Sequence, residues 1–274
     1  MNTALYLSLN SLPAIFILGL FLLREKKKEP LSIVLSAFAL TYIIVIPLDI
    51  LISIVDPFLD ANFQDKEANP FLTEEIFYKH YYSIFAFFRA AFLEEFLKFS
   101  VLFLFIYKNT HFDELSDGVI YGAAVGLGYA VVENYSYLLN YYLYDAPMID
   151  FIKYRWWALI GHVSLGIVMG IFLAKSRLVN FNKFYLLSLS LCIPIFLHGL
   201  HNYTLDSNLL YENNVHYFIL VFDLLIILLS LVFLPKLETY KFKYEKNLIY
   251  SDYIKLTFIG LIFSLILSII FGYI

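Results

Sequence analysis

Tyr82–Tyr107 reads YSIFAFFRAAFLEEFLKFSVLFLFIY, an apolar and aromatic run interrupted near its middle by Glu94, Glu95 and Lys98. Its length suits a membrane helix, because hydrocarbon about 30 Å thick takes about 20 residues to cross. Its charges make that helix expensive. Each ionisable side chain at the centre of a span costs roughly 2.5 to 3.5 kcal/mol on insertion scales, so three of them approach the whole stability of an ordinary domain. A cost of that size points to function rather than packing.

The rest of the chain has the same character. Its 274 residues are 61% hydrophobic, 19% aromatic and 15% charged, with a mean hydropathy of +0.75. Those values exclude the soluble classes. Apolar runs long enough to span lie at 4 to 23, 31 to 55, 82 to 107, 117 to 139, 156 to 174, 184 to 204, 215 to 234 and 254 to 273. The expected fold is therefore all-α and polytopic, with about eight transmembrane helices in one integral-membrane domain spanning 1–274. Lipid is the expected surrounding, and no nucleic-acid partner is expected.

Lys and Arg are unevenly shared between alternate loops. The odd loops and their edges hold Arg24, Lys26, Lys27, Lys28, Lys108, Lys175, Arg177, Lys183, Lys236, Lys241, Lys243, Lys246 and Lys255, whereas the even loops hold Lys66, Lys79, Lys153 and Arg155. Thirteen against four puts the odd loops in the cytoplasm and both termini outside. The first apolar run has its positive charges after it, the reverse of a secretory signal, and is expected to remain a span. The lone Cys192 falls in the sixth span, so neither a disulfide framework nor a thiolate metal cluster is expected, only a buried structural thiol. Trp156 and Trp157, beside Lys153 and Arg155, read as an interfacial anchor for the fifth span.

This topology lets the intramembrane polar groups be placed by depth, at about 1.5 Å per residue. Glu94 and Glu95 lie roughly 15 to 20 Å below the outer end of the third span, and Glu133, Asn134, His162, His198 and Asn202 lie within about 10 Å of the outer ends of the next three. Four consecutive helices thus send polar groups into one outer half of the bilayer. A lone histidine in a span ordinarily bonds a neighbouring helix; the whole set at one depth points to a shared site. Asp49 and Asp223 also fall in the outer half and could serve as supporting groups, although a helix-end acid is an equal reading for Asp49.

Within the third span, Glu94 and Lys98 are four residues apart with the acid first, the favourable order for an intrahelical pair. That pairing leaves Glu95 dependent on other helices and makes it the first choice for the catalytic carboxylate. Gly118, Gly122, Gly126, Ala130 and Asn134 recur every fourth residue, as do His162, Gly166 and Gly170, so two small-residue stripes allow close backbone approach.

Two histidines with carboxylates on facing helices suffice for hydrolysis in either of two forms. His162, His198 and one glutamate such as Glu133 can hold zinc or another divalent ion while another glutamate acts as base. Alternatively a glutamate assisted by histidine activates water with no metal, and Asn or His stabilises the oxyanion. Both forms remain open on the residues alone. Intramembrane Glu, His and Lys also build proton- or ion-coupled carriers, and a non-catalytic scaffold that binds a transmembrane segment is a third class. No internal repeat supports the carrier.

Glu94-Glu95-Phe-Leu-Lys98, Gly128-Tyr-Ala-Val-Val-Glu133-Asn134, His162 and His198-Gly-Leu-His-Asn202 closely resemble the four motifs of the PrsW family of intramembrane proteases. More distantly they resemble the CAAX-processing protease superfamily. The resemblance covers roughly 89 to 203 and implies a catalytic core at about 82–204. It implies Glu94 and Glu95 as the paired catalytic glutamates, Glu133 with Asn134 as the second acidic motif, His162 and His198 as the two histidines, and Lys98 as the basic residue. Tyr129 stands where the family usually has Phe, and Asn202 where it has Asp, which removes a charge from that position. The implied activity is cleavage of a membrane-anchored protein near the outer face of a prokaryotic plasma membrane, releasing a regulator such as an anti-sigma factor. Family members are described as metalloproteases and some relatives as glutamate-dependent and metal-free, so the resemblance leaves both forms open.

Overall fold

The computed structural model describes residues 3–63, 74–139, 148–178, 182–206, 215–240 and 250–273. Its regular elements are helices: α1 (Thr3–Arg24), α2 (Leu31–Phe63), one continuous helix made of α3 (Glu74–Ile84), π1 (Phe85–Phe92), α4 (Leu93–Val101) and π2 (Leu102–Ile106), then α5 (Leu115–Leu139), α6 (Met148–Leu178), α7 (Lys183–Asp206), α8 (Val215–Leu237) and α9 (Tyr250–Tyr273). Among the described residues six helices are long and apolar enough to cross a membrane, with spans at Leu31–Leu48, Leu115–Leu138, Phe151–Arg177, Lys183–Leu205, Tyr217–Leu237 and Asp252–Gly272. The chain is a multi-pass membrane protein.

The other two expected spans are helical but differ in kind. The apolar part of α1, Ser8–Arg24, is shorter than the six. The stretch at 82 to 107 contains Arg89, Glu94, Glu95 and Lys98, and it alternates α and π turns. Its rings stack along the helix at four-residue steps, with Phe88, Phe92 and Phe96 at 6.1 and 5.7 Å and Phe99, Phe103 and Tyr107 at 5.1 and 5.7 Å. Such π turns change the angular register, so the face of α4 that bears the charges is set separately from the turns on either side.

Apolar side chains on α2, α8 and α9 face outward, among them Phe58, Phe218, Leu228 and Ile269, all more than half exposed. So much exposed apolar surface is unstable in water and suits lipid. The interior is organised around α5, which is buried at every residue from Leu115 to Val132. Its most extensive partner is α6. A methyl group added at Gly118, Gly122 or Gly126 would collide with the carbonyls of Gly170, Gly166 and His162 respectively. The two small-residue stripes therefore lie against each other, antiparallel and in constant register, at backbone contact. Continued toward the end of α5, that register sets Glu133 opposite Arg155. Gly128 faces away from this seam, against the Phe38 carbonyl and Thr41 of α2.

At the opposite end of α5 the turn between α1 and α2 meets the helix start. The Tyr121 hydroxyl donates to Glu29 at 2.6 Å, and the amides of Asp113 and Glu114 both donate to Asp117 Oδ2 at 2.7 Å. Lys27 bridges Asp113 and Glu114 at 3.0 Å each. Burial pushes the Glu25 and Glu29 carboxyls up to about 7, because removing a carboxylate from water disfavours its charged form.

Candidate active site

Glu94, His162 and His198, from α4, α6 and α7, each place a potential ligand atom within 4.8 Å of the others, and all three are buried. They stand on the wall of a cavity of about 320 Å³, which Glu133, Arg155, His201, Asn202 and Asp223 also line. Glu95 and Lys98, both fully buried, lie behind that wall rather than on it. Asp223 on α8 accepts a hydrogen bond from Ser164 at 2.5 Å. The Asp49 side chain lies outside the described residues. Cys192 is half-buried on α7, away from these groups in the cavity lining.

The expected pairing within α4 is reversed. Lys98 donates to Glu95 Oε1 at 2.5 Å, three residues back, and not to Glu94. Both i−3 and i−4 neighbours are within reach on a helix, and the choice is made by other helices. Lys98 also bonds His162 Nδ1 at 2.9 Å, while Glu95 Oε1 bonds His198 Nδ1 at 2.7 Å. Those contacts draw Lys98 and Glu95 onto one face. Glu94 is left on the cavity side with Oε2 buried and no hydrogen-bond partner among the described residues.

An ammonium has only protons to give, so His162 accepts at Nδ1 and carries its proton on Nε2, which it donates to Glu133 Oε2 at 2.8 Å. His198 donates through Nδ1 to Glu95, so in its neutral form it is the opposite tautomer, with the lone pair on Nε2. That Nε2 faces Glu94 Oε2 at 3.8 Å, too far for a hydrogen bond. Two electron-rich atoms at this separation define a gap suited to a water or a cation. Tyr129 closes the inner side, with Lys98 4.8 Å from its ring centroid and the His162 ring edge-on at 5.1 Å.

Arg155 is a site residue that the sequence reading placed at the membrane interface. It is 3% exposed, pairs with Glu133 at 2.5 Å and donates through Nε to Asn134 Oδ1 at 2.6 Å. Its neighbours Trp156 and Trp157 are 42% and 43% exposed, and Trp157 also lines the cavity. Successive residues of a helix point about 100° apart, so an anchor and a buried ion pair coexist in one turn. The constant register between the two glycine stripes is the signal that locates Arg155. Arg89, also unassigned from sequence, forms a two-point pair with Asp56 at 2.8 Å and lines the cavity.

The donor set of one carboxylate and two imidazoles matches a catalytic divalent-metal site with a position left for water. Glu94 Oε2 and His198 Nε2 have their lone pairs free, and Glu95 bonded to His198 is the outer-shell carboxylate that orients a metal-binding histidine. His162 enters such a sphere only by giving up one of its two bonds. The residues thus fit a metal. The group also differs from the sequence expectation in one member, with Glu94 beside the two histidines and Glu133 committed to Arg155 and His162.

A multi-pass helical protein with paired glutamates and two histidines clustered beside a cavity has the architecture of an intramembrane hydrolase. Comparison with known proteins gives the same class. Residues 29–229 match the family described as PrsW family intramembrane metalloprotease. Protease PrsW of Bacillus subtilis is 30% identical over 200 residues, 71% of this chain and 80% of that protein. Protease PrsW of Geobacillus kaustophilus is 31% identical over 194 residues, 70% and 76% of the two chains, and that of Oceanobacillus iheyensis 29% over 205 residues, 73% and 83%. No solved structure matches the chain. The chain belongs to the PrsW family of intramembrane proteases. That membership makes it a hydrolase acting on protein in a membrane and sets aside the carrier and scaffold readings.

Proposed function

We propose that the chain hydrolyses one peptide bond of a membrane-anchored protein in the cavity between α4, α6, α7 and α8, with Glu94 as the carboxylate that handles the attacking water. The observation that carries this reading is the 3.8 Å gap between Glu94 Oε2 and His198 Nε2 on the cavity wall. A water held there has one acceptor to take its proton and a second to orient it.

Glu95 and Lys98 act from behind. They hold His198 in one tautomer and His162 in the other, and their mutual pairing keeps two buried charges neutral as a unit. Glu133, fixed by Arg155, holds the Nε2 proton of His162. Arg155 and Asn202 on the cavity wall supply donors toward the carbonyl oxygen of the scissile bond as it gains charge. A divalent metal held by Glu94, His162 and His198 would supply Lewis-acid polarisation and a more acidic water at the same place.

The finer topology follows the charge asymmetry: about eight transmembrane helices in one domain, both termini outside, in a prokaryotic cell membrane, with cleavage near the outer face. A single-pass regulator such as an anti-sigma factor is the proposed substrate. The test is cleavage of a single-pass substrate by purified protein, with metal analysis before and after chelation. Loss of activity with the metal and its return on reloading supports the metal form. Full activity in metal-free protein overturns it and leaves Glu94 as the sole activator. No cleavage of any single-pass substrate under either condition overturns the proposed substrate class.

A further inference from the structure

A second group of acids lies at the other end of α5, roughly 24 Å from Glu133 by helical rise. Glu25, Glu29 and Asp117 come from the end of α1, the start of α2 and the first turn of α5. One oxygen of each lies within 4.8 Å of the others, and they are 2%, 7% and 1% exposed. Lys27 is engaged by Asp113 and Glu114, and Lys28 donates to the Leu22 carbonyl. Three buried carboxylates this close repel one another unless a positive charge joins them.

The surrounding chain ties most of their oxygens. Glu25 Oε2 accepts the Glu29 amide at 3.2 Å, Glu29 Oε2 the Tyr121 hydroxyl, Asp117 Oδ2 two backbone amides and Asp117 Oδ1 the Ser116 hydroxyl at 3.4 Å. The other oxygen of Glu25, Oε1, is buried and accepts no hydrogen bond from any described residue. A buried acceptor without a donor is rare in a folded protein and marks a place for a ligand. The ligand atoms are all carboxylate oxygens, with no nitrogen or sulfur, a donor set selecting hard cations over zinc.

We propose that Glu25, Glu29 and Asp117 bind a hard divalent cation, calcium or magnesium, which fastens the turn between α1 and α2 to the start of α5. The site is separate from the catalytic cluster and shares no residue with it. Because α5 carries Glu133 at its far end, the cation also braces the helix on which that cluster is built.

The test uses the full-length chain in detergent micelles, stripped by chelation and titrated calorimetrically with calcium alone and with magnesium alone. Wild type and His198→Ala are expected to bind one equivalent of one of these ions and to rise in thermal midpoint as they do so. Glu25→Gln is expected to bind at least about tenfold more weakly and to lose the rise. This variant removes a buried charge and leaves the bonding amide of Glu29 an acceptor, and Glu29→Gln measured beside it guards against a single variant that fails to fold. Absence of saturable binding for both ions, binding unchanged in both glutamine variants, or an equivalent lost in His198→Ala instead overturns the proposal.

Discussion

At the Glu133 end of α5 the buried acids alternate with cations and imidazoles, Glu95 with Lys98 and His198, Glu133 with His162 and Arg155. At the Asp117 end three acids cluster together and Lys27 bridges two others. Both ends are buried, so burial alone does not explain the contrast. The paired end is a closed chain of charge-assisted bonds that holds each ring and carboxylate in one orientation. Within it Glu94, beside the Tyr129 hydroxyl, keeps Oε2 without a hydrogen-bond partner among the described residues and stands on the cavity wall. Preorganisation on one side and an incomplete valence on the other is the arrangement that hydrolysis needs.

Breaking the paired end is expected to have the largest effect. His198→Ala removes one side of the gap and the donor to Glu95, and cleavage of a single-pass substrate should fall by about 10²- to 10⁴-fold; a rate near that of wild type removes His198 from the site. Arg155→Met leaves Glu133 without its cation, and the thermal unfolding of the micellar protein should report a loss of about 3 to 5 kcal/mol. Adding Glu133→Gln to Arg155→Met should recover part of that loss, and strictly additive effects would show that the two side chains are not coupled.

The seam joining the two ends is next. Gly122→Ala forces a methyl onto the Gly166 carbonyl and should cost about 1 to 3 kcal/mol. Gly19, where an added methyl meets nothing within 4 Å, is the control, and equal losses at both positions would argue against the close α5–α6 contact. The smallest effect is expected at the unpaired end, where the Lys27 side chain is 49% exposed. Lys27→Ala should change stability by at most about 1 kcal/mol, measured in the same unfolding assay.

Much of this contrast was legible in the sequence, and the gaps have physical causes. Counting depth along helices of opposite direction brought Glu94, Glu133, His162 and His198 into one outer half of the bilayer, because apolar spans leave few places for charge. The pairing of Lys98 was not legible, since i−3 and i−4 partners are equivalent until His162 and His198 choose between them. Arg155 was hidden by its own neighbours: Trp156, Trp157 and Lys153 carry the signature of an interface, and only the register of Gly118, Gly122 and Gly126 on α6 turns Arg155 inward. The π turns around α4 left no mark, because Phe and Ala suit α and π geometry alike. Glu25, Glu29 and Asp117 sit in separate stretches of the sequence, and only the fold brings them together.

Single-turnover cleavage by Glu94→Gln and Glu95→Gln, side by side and each with its thermal midpoint, tests most directly which glutamate faces the reaction. The account predicts that Glu94→Gln stays as stable as wild type while its cleavage rate falls by about 10³-fold, and that Glu95→Gln loses stability because Lys98 is left buried without its counter-charge. A stable Glu94→Gln protein cleaving at the wild-type rate, beside a stable and inactive Glu95→Gln, would contradict it.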